Sequence, residues 1–250
     1  MYLVKYGGFK LQYRLSVVFL TLFVYSSSYV IAQKSILGVA FSYGPDFSYG
    51  DLADRYGTHT SFGVGTEYLT ASNFGFSLEW RYMFGDNVKS EPYSPLKQMG
   101  GSIVGVDGTP ADYFYTIVGD QINLQVRKIL GKKGSGFVVG SSIGLFAFKT
   151  VLKDLNRTIA QSFEPYSFYY DQLSRGVSFK QIVGYEFHSD NGLINGSITL
   201  ENSLGFTEAI RGALALEKGD QTLMDNSFGI RARWVIPFKK GEKKDKVKYF

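Results

Sequence analysis

Between residues 227 and 238 every second side chain is apolar. Phe228, Ile230, Ala232, Trp234, Ile236 and Phe238 alternate with Ser227, Gly229, Arg231, Arg233, Val235 and Pro237. Successive side chains of a strand point to opposite faces, so this spacing predicts a strand with one apolar and one polar face. Residues 74–84 repeat the pattern. Phe74, Phe76, Leu78, Trp80, Tyr82 and Phe84 face one way, and Gly75, Ser77, Glu79, Arg81 and Met83 the other. The same alternation predicts strands over residues 36–48, 58–70, 113–130, 137–151, 177–188 and 193–206, eight in all.

The connections alternate in length. Those at 71–73, 131–136 and 189–192 are short. Those following the first, third, fifth and seventh strands are long and rich in Gly, Pro, Asp or aromatic residues. Asn191-Gly192 in the third short connection is a strong hairpin signal. Outer-membrane barrels join their strands in this way, with long loops outside and short turns inside. A secreted lipocalin-like or sandwich protein also alternates, but it buries its apolar face. The polar face here carries Glu67, Glu79, Glu186 and Glu201 together with Arg81, Arg127, Lys180, Arg231 and Arg233. If those nine charges faced a soluble core, each unpaired ion would cost several kcal/mol. In an eight-stranded membrane barrel they pair in the lumen while the aromatic rows meet lipid. The expected fold is therefore all-β, an eight-stranded antiparallel transmembrane β-barrel over residues 33–238.

The front of the chain supports export. Lys5, Lys10 and Arg14 precede a short apolar run over residues 15–25, then three serines and Val30-Ile31-Ala32. This is the order of a secretory signal peptide, with cleavage expected after Ala32. The run is about half the ~20 residues that a spanning helix needs. The chain has no cysteine, which excludes disulfides, thiolate metal sites and a lipidated N-terminal cysteine. Of 27 cations, removing the three in the leader leaves 24 against 22 acids, a net of +2, which gives no support to nucleic-acid binding. Residues 239–250 carry six lysines beside Glu242 and Asp245 and are expected to form a basic periplasmic tail.

Candidate chemistry is sparse. The nine inward charges read first as an ion-pair network that holds the strands in register. A solute conduit is the alternative, although eight strands leave room for little more than their own side chains. His59 is close in sequence to Asp54, Thr58, Thr60 and Ser61, and a general base needs a nucleophile within hydrogen-bond reach. His188 is expected at the opposite rim, so the two histidines do not share a metal, and no cofactor is expected. Gly131-Lys132-Lys133-Gly134 lacks the order of a phosphate-binding loop and reads as a turn. The third long loop holds Phe163, Tyr166, Phe168, Tyr169 and Tyr170. They read as strand extension or interfacial girdle, or else as an exposed aromatic surface for a protein or glycan partner.

The chain resembles the small outer-membrane β-barrels of Bacteroidota, in the OmpA/OmpX-like class. The resemblance rests on the Val30-Ile31-Ala32-Gln33 context, the early strand Ile36-Leu37-Gly38-Val39, and the loop from Gly50-Asp51-Leu52 to Arg55-Tyr56-Gly57. The closing Arg233-Trp234-Val235-Ile236-Pro237-Phe238 also carries it. It implies an outer-membrane location, contact with outer-membrane lipid, and a structural or interaction role. That role is to display surface loops or to serve as a subunit of an envelope complex, as PorG-like accessory barrels do. A small-solute pore and a lipid-modifying barrel enzyme with His59 at its rim are the other functions that barrels of this size imply.

Overall fold

The computed structural model describes residues 35–132, 135–189, 195–219 and 221–238. The leader over 1–32, its cleavage after Ala32 and the basic tail over 239–250 lie outside the described residues. So do most of the hairpin turn expected at 189–192 and the first residues expected in the seventh strand. The strands are β1 (Ile36–Gly50), β2 (His59–Leu69), β3 (Phe74–Gly85), β4 (Tyr113–Lys132), β5 (Ser135–Asp154), β6 (Ser174–His188), β7 (Asn195–Ala209) and β8 (Leu223–Pro237). Two short helices, α1 (Asp51–Arg55) and α2 (Ala213–Lys218), lie in the first and last long loops.

Each strand pairs antiparallel with the next, and β8 pairs with β1, so the sheet closes into an eight-stranded barrel. Closure removes both free edges. Several strands run further toward the long-loop end than their alternation predicts. β8 starts at Leu223, β6 at Ser174, and β5 continues to Asp154. The β4–β5 hairpin is the tallest part of the wall, paired from Tyr113↔Asp154 down to Lys132↔Ser135.

The β1–β8 seam has one interruption. Pairs run from Gly38↔Pro237 to Tyr43↔Ala232 and resume at Asp46↔Gly229. Pro45 has no N–H to give to the ladder. The neighbouring Gly44 carbonyl instead accepts a hydrogen bond from Arg231 Nη1 at 2.9 Å.

The barrel is inverted relative to a soluble protein. Its outer face exposes Leu78, Trp80, Ile122, Leu124, Ile143, Leu145, Ile198, Leu200, Trp234 and Ile236. Its interior buries Glu67, Glu79, Arg81, Arg127, Lys180, Glu186, Glu201, Arg231 and Arg233. An apolar surface that encircles a protein exceeds what water tolerates on a monomer. The belt has polar margins: on the outer face of β4, Asp120 is exposed near the long loops, and Lys128 lies near the short turns with its ammonium over the Phe74 ring. With ~3.4 Å per residue and a tilt of 35–45°, the stretch between them spans about 21 Å, close to the ~25 Å apolar band of membrane barrels.

Candidate functional site

The lumen is filled by ionic clusters at successive heights. At the short-turn end Arg127, 2% exposed, donates Nε–H to Glu186 at 2.9 Å and Nη2–H to Glu67. Arg233 Nη2 lies 2.7 Å from Glu67, and His188 Nε2 lies 2.7 Å from Glu186. At mid-height Arg81 bridges Glu79 and Glu201, both at 2.8 Å. Beside it Arg231 Nη2 donates to both oxygens of Asp46, at 2.8 and 2.9 Å, and Ser61 donates to the same carboxylate. Lys180 donates to Gln121 at 2.7 Å and makes no ion pair among the described residues.

Thus all nine charges read from the sequence lie inside one ring, and eight of them contact an opposite charge. Sequence reasoning missed Asp46, the principal partner of Arg231. Asp46 alternates with Tyr43, Pro45 and Phe47 and so shares the inward phase of Ser42 and Gly44, a signal that was present.

The long-loop end is closed by different chemistry. α1 turns Arg55 down into the barrel mouth, where Nη2 lies 2.5 Å from Asp225 and Nη1 donates to Ser174 at 3.0 Å. Its guanidinium also lies 5.3 Å from the Phe148 ring and 5.5 Å from the Tyr56 ring. Leu52, Tyr56, Met83, Ile117, Phe146 and Phe148 form an apolar lid around it. Alternation did not predict this lid. Residues 145–148 are apolar in both phases, so inward Phe146 and Phe148 do not stand out from outward Leu145 and Ala147.

His59 is 4% exposed, inside the wall, with Nδ1 3.5 Å from Ser48 Oγ. Asp54 lies on the exposed side of α1, and Ser61 gives its hydrogen to Asp46. Asp54 and Ser61 are therefore not assembled with His59 into a catalytic group. His188 is at the other end, and the described residues hold no cluster of three metal-binding side chains.

Above the lid the loops fold on the tall hairpin. Tyr93, Ile103, Leu152 and Ile159 form a second small core, flanked by Leu96, Ala111, Tyr113, Tyr115 and Tyr170. Tyr93 stacks on Tyr170 with ring centroids 4.5 Å apart. Arg211 clamps Asp171, with Nε at 3.0 Å and Nη2 at 2.5 Å, and lies over the Phe168 ring. The five loop aromatics are therefore divided. Tyr166, Phe168 and Tyr169 sit in a 3₁₀ turn, Phe163 and Tyr170 each follow directly after one, and none extends a strand. Phe168 and Tyr170 turn inward onto the loop assembly, while Phe163, Tyr166 and Tyr169 are exposed.

Burial is the main reason the Tyr93 phenol is pushed up to about 12, and the nearby Asp171 carboxylate adds to it. The neutral phenol is thus favoured in the fold, and its contribution is complete below the ordinary value of 10. We expect the loop core to hold below pH 10 and to loosen as pH rises toward 12. Near-ultraviolet circular dichroism against pH should show this loss, and Tyr93→Phe should remove part of it, because burial also raises the Tyr115 phenol packed on the same core, while the barrel keeps its heat-modifiable gel mobility.

A closed ring of eight strands, an encircling apolar belt and a charge-filled lumen define a small transmembrane β-barrel of the outer-membrane type. No protein-family model matches the sequence, and no curated protein matches it. Among solved structures, the chain is similar to Neisserial surface protein A at 8% identity, covering 82% of this chain and 100% of that one, with a TM-score of 0.47. It is similar to Ail, the attachment invasion locus protein of Yersinia pestis, at 8% identity, 81% and 98% coverage and a TM-score of 0.41. It is also similar to OprG from Pseudomonas aeruginosa, at 12% identity, 82% and 94% coverage and a TM-score of 0.31. Identities this low pass none of those proteins' activities to this chain.

Proposed function

We propose that the protein is an exported outer-membrane barrel that serves as a rigid stand for its loops, which bind an envelope or surface partner. In this reading the leader delivers the chain to the envelope, and the barrel is of the Bacteroidota type that the sequence resembles. The lumen charges hold the strands in register, and Phe163, Tyr166 and Tyr169 form the contact surface. The observation that carries the proposal is the loop core of Tyr93, Ile103, Leu152 and Ile159, on which Tyr170 packs at the end of the segment that exposes Phe163, Tyr166 and Tyr169. Exposed aromatics on an ordered support are the usual anchors of protein interfaces. Affinity capture from native outer membranes in mild detergent should recover a stoichiometric partner. Alanine at Phe163, Tyr166 and Tyr169 together should release it and leave barrel folding unchanged. A monomer with no partner would overturn the proposal.

The ionic filling weighs against a pore. The cavities among Asp46, His59, Arg81, Lys180 and Glu201, and among Glu79, Arg127, Arg231 and Arg233, have volumes near 20 and 10 Å³. A single water needs roughly 10–15 Å³. Purified protein in planar bilayers is expected to show no steady ion conductance. Reproducible open steps would favour the solute pore.

A further inference from the structure

Just above the apolar belt, the outer face carries a row of charges that the ionic network of the lumen does not include. Asp120 on β4 pairs in register with Ala147 on β5, Ala147 with Arg175 on β6, and Arg175 with Glu208 on β7. All four side chains point outward, and Asp120, Arg175 and Glu208 are exposed. Arg175 and Glu208 face each other yet close no ion pair among the described residues. Asp120 is held in place by the Trp80 indole, whose Nε1–H donates to it at 3.0 Å. The methyl of Ala147 leaves a notch between the Asp120 carboxylate and the Arg175 guanidinium.

The notch continues into a groove of about 680 Å³, walled by Trp80, Ile122, Leu145, Val177 and Phe206 from the next row down. The groove therefore has a charged mouth at the margin of the belt and an apolar body within it. That is the polarity of one membrane lipid, headgroup above and acyl chain below. The charges narrow the class further. One cation with two anions gives the mouth a net negative charge, which disfavours a purely anionic headgroup. Asp120 and Arg175 are two strand spacings apart, about 9.6 Å. That is the separation of the two backbones, across which a phosphate and an ammonium joined by an ethylene bridge, with a charge-assisted hydrogen bond of about 2.8 Å at each end, can link the two side chains.

We propose that this notch binds a membrane lipid with a phosphoethanolamine headgroup. The phosphate meets Arg175, the ammonium meets Asp120, Glu208 limits binding of anionic lipids, and an acyl chain lies over Leu145 and Val177. Trp80 walls the groove and is one of two tryptophans in the chain, so Trp234→Phe makes it the sole reporter. The test reconstitutes that protein in phosphatidylcholine vesicles. The probes, at equal mole fraction, are phosphatidylethanolamine, phosphatidylcholine or phosphatidylglycerol with brominated chains, which quench nearby indole fluorescence. Two partly exposed ionic contacts imply an association with the ethanolamine lipid about threefold to tenfold above the other two. Arg175→Gln and Asp120→Asn, each made singly, should bring that ratio close to one. Equal quenching by all three lipids, stronger quenching by the glycerol lipid, or a preference that survives both substitutions would overturn the proposal.

Discussion

Replacing Arg127 with Met should destabilise the barrel by about 3–5 kcal/mol, the usual consequence of removing one partner from a buried ionic cluster. Arg127 is 2% exposed and bonds both Glu67 and Glu186. The two acids are not left in equal positions. Glu67 keeps Arg233 at 2.7 Å, whereas Glu186 keeps only His188. Most of the loss should therefore come from Glu186, and Arg127→Met combined with Glu186→Gln should recover much of it. Lys180→Met makes the comparison, because Lys180 only donates to Gln121 and strands no acid when it is removed. Its effect should be clearly smaller. Urea unfolding in lipid vesicles, followed by tryptophan fluorescence, measures all four proteins. Equal losses for Arg127→Met and Lys180→Met would mean that the cluster does not hold the wall together.

The alternation along the chain determines which side of the wall each residue occupies, and this much of the fold was legible. A period of two is a property of one strand, so Arg81, Arg127 and Arg231 could be assigned inward without knowledge of any neighbour. Which acid each arginine meets depends on how the strands pair around the ring. Arg81 reaches Glu201 across the lumen from β3 to β7, and Arg127 reaches Glu186 from β4 to β6. No local pattern encodes those partners. The long loops were opaque for a related reason. Arg55 reads as a loop cation until α1 turns it into the mouth beside Asp225, and Asp225 itself lay just before the stretch where alternation becomes clear. Phe168 and Tyr170 could not be separated from Phe163, Tyr166 and Tyr169 because the loop has no period to sort them.

The two closures of the lumen differ in kind. Around Arg81, Arg127 and Arg231 the contacts are made by side chains and backbone carbonyls of the strands themselves, so that filling forms with the wall. The upper closure is brought by a loop. α1 delivers Arg55 and Leu52, and the following Tyr56 places its hydroxyl 2.7 Å from Thr150 on β5. Backbone bonds then tie that loop to the next one, with Lys89 N donating to the Arg55 carbonyl at 2.8 Å. Order at the mouth is thus coupled to order in the loops above it, as a rigid loop stand requires.

Gly229→Val should prevent stable folding, with the protein losing its heat-modifiable mobility and β-type circular dichroism in detergent. A Cβ at residue 229 would fall within van der Waals contact of Asp46 Oδ1. That carboxylate has little freedom to move away. It accepts from Arg231 at 2.8 and 2.9 Å and from Ser61 at 2.6 Å, on a side chain too short to swing aside. Overpacking alone costs about 1–3 kcal/mol, and displacing Asp46 adds the loss of a buried ionic contact, about 3–5 kcal/mol. The sum is comparable to the whole stability of a small domain. Gly229→Ala carries the same Cβ and should be severe but less complete. Gly100→Ala, at a loop position with open space and an ordinary backbone angle, should change stability by no more than about 0.5 kcal/mol. A Gly229→Val protein as stable as the Gly100→Ala protein would show that the Asp46–Arg231 contact does not fix this part of the β1–β8 seam, where Pro45 leaves the backbone ladder open.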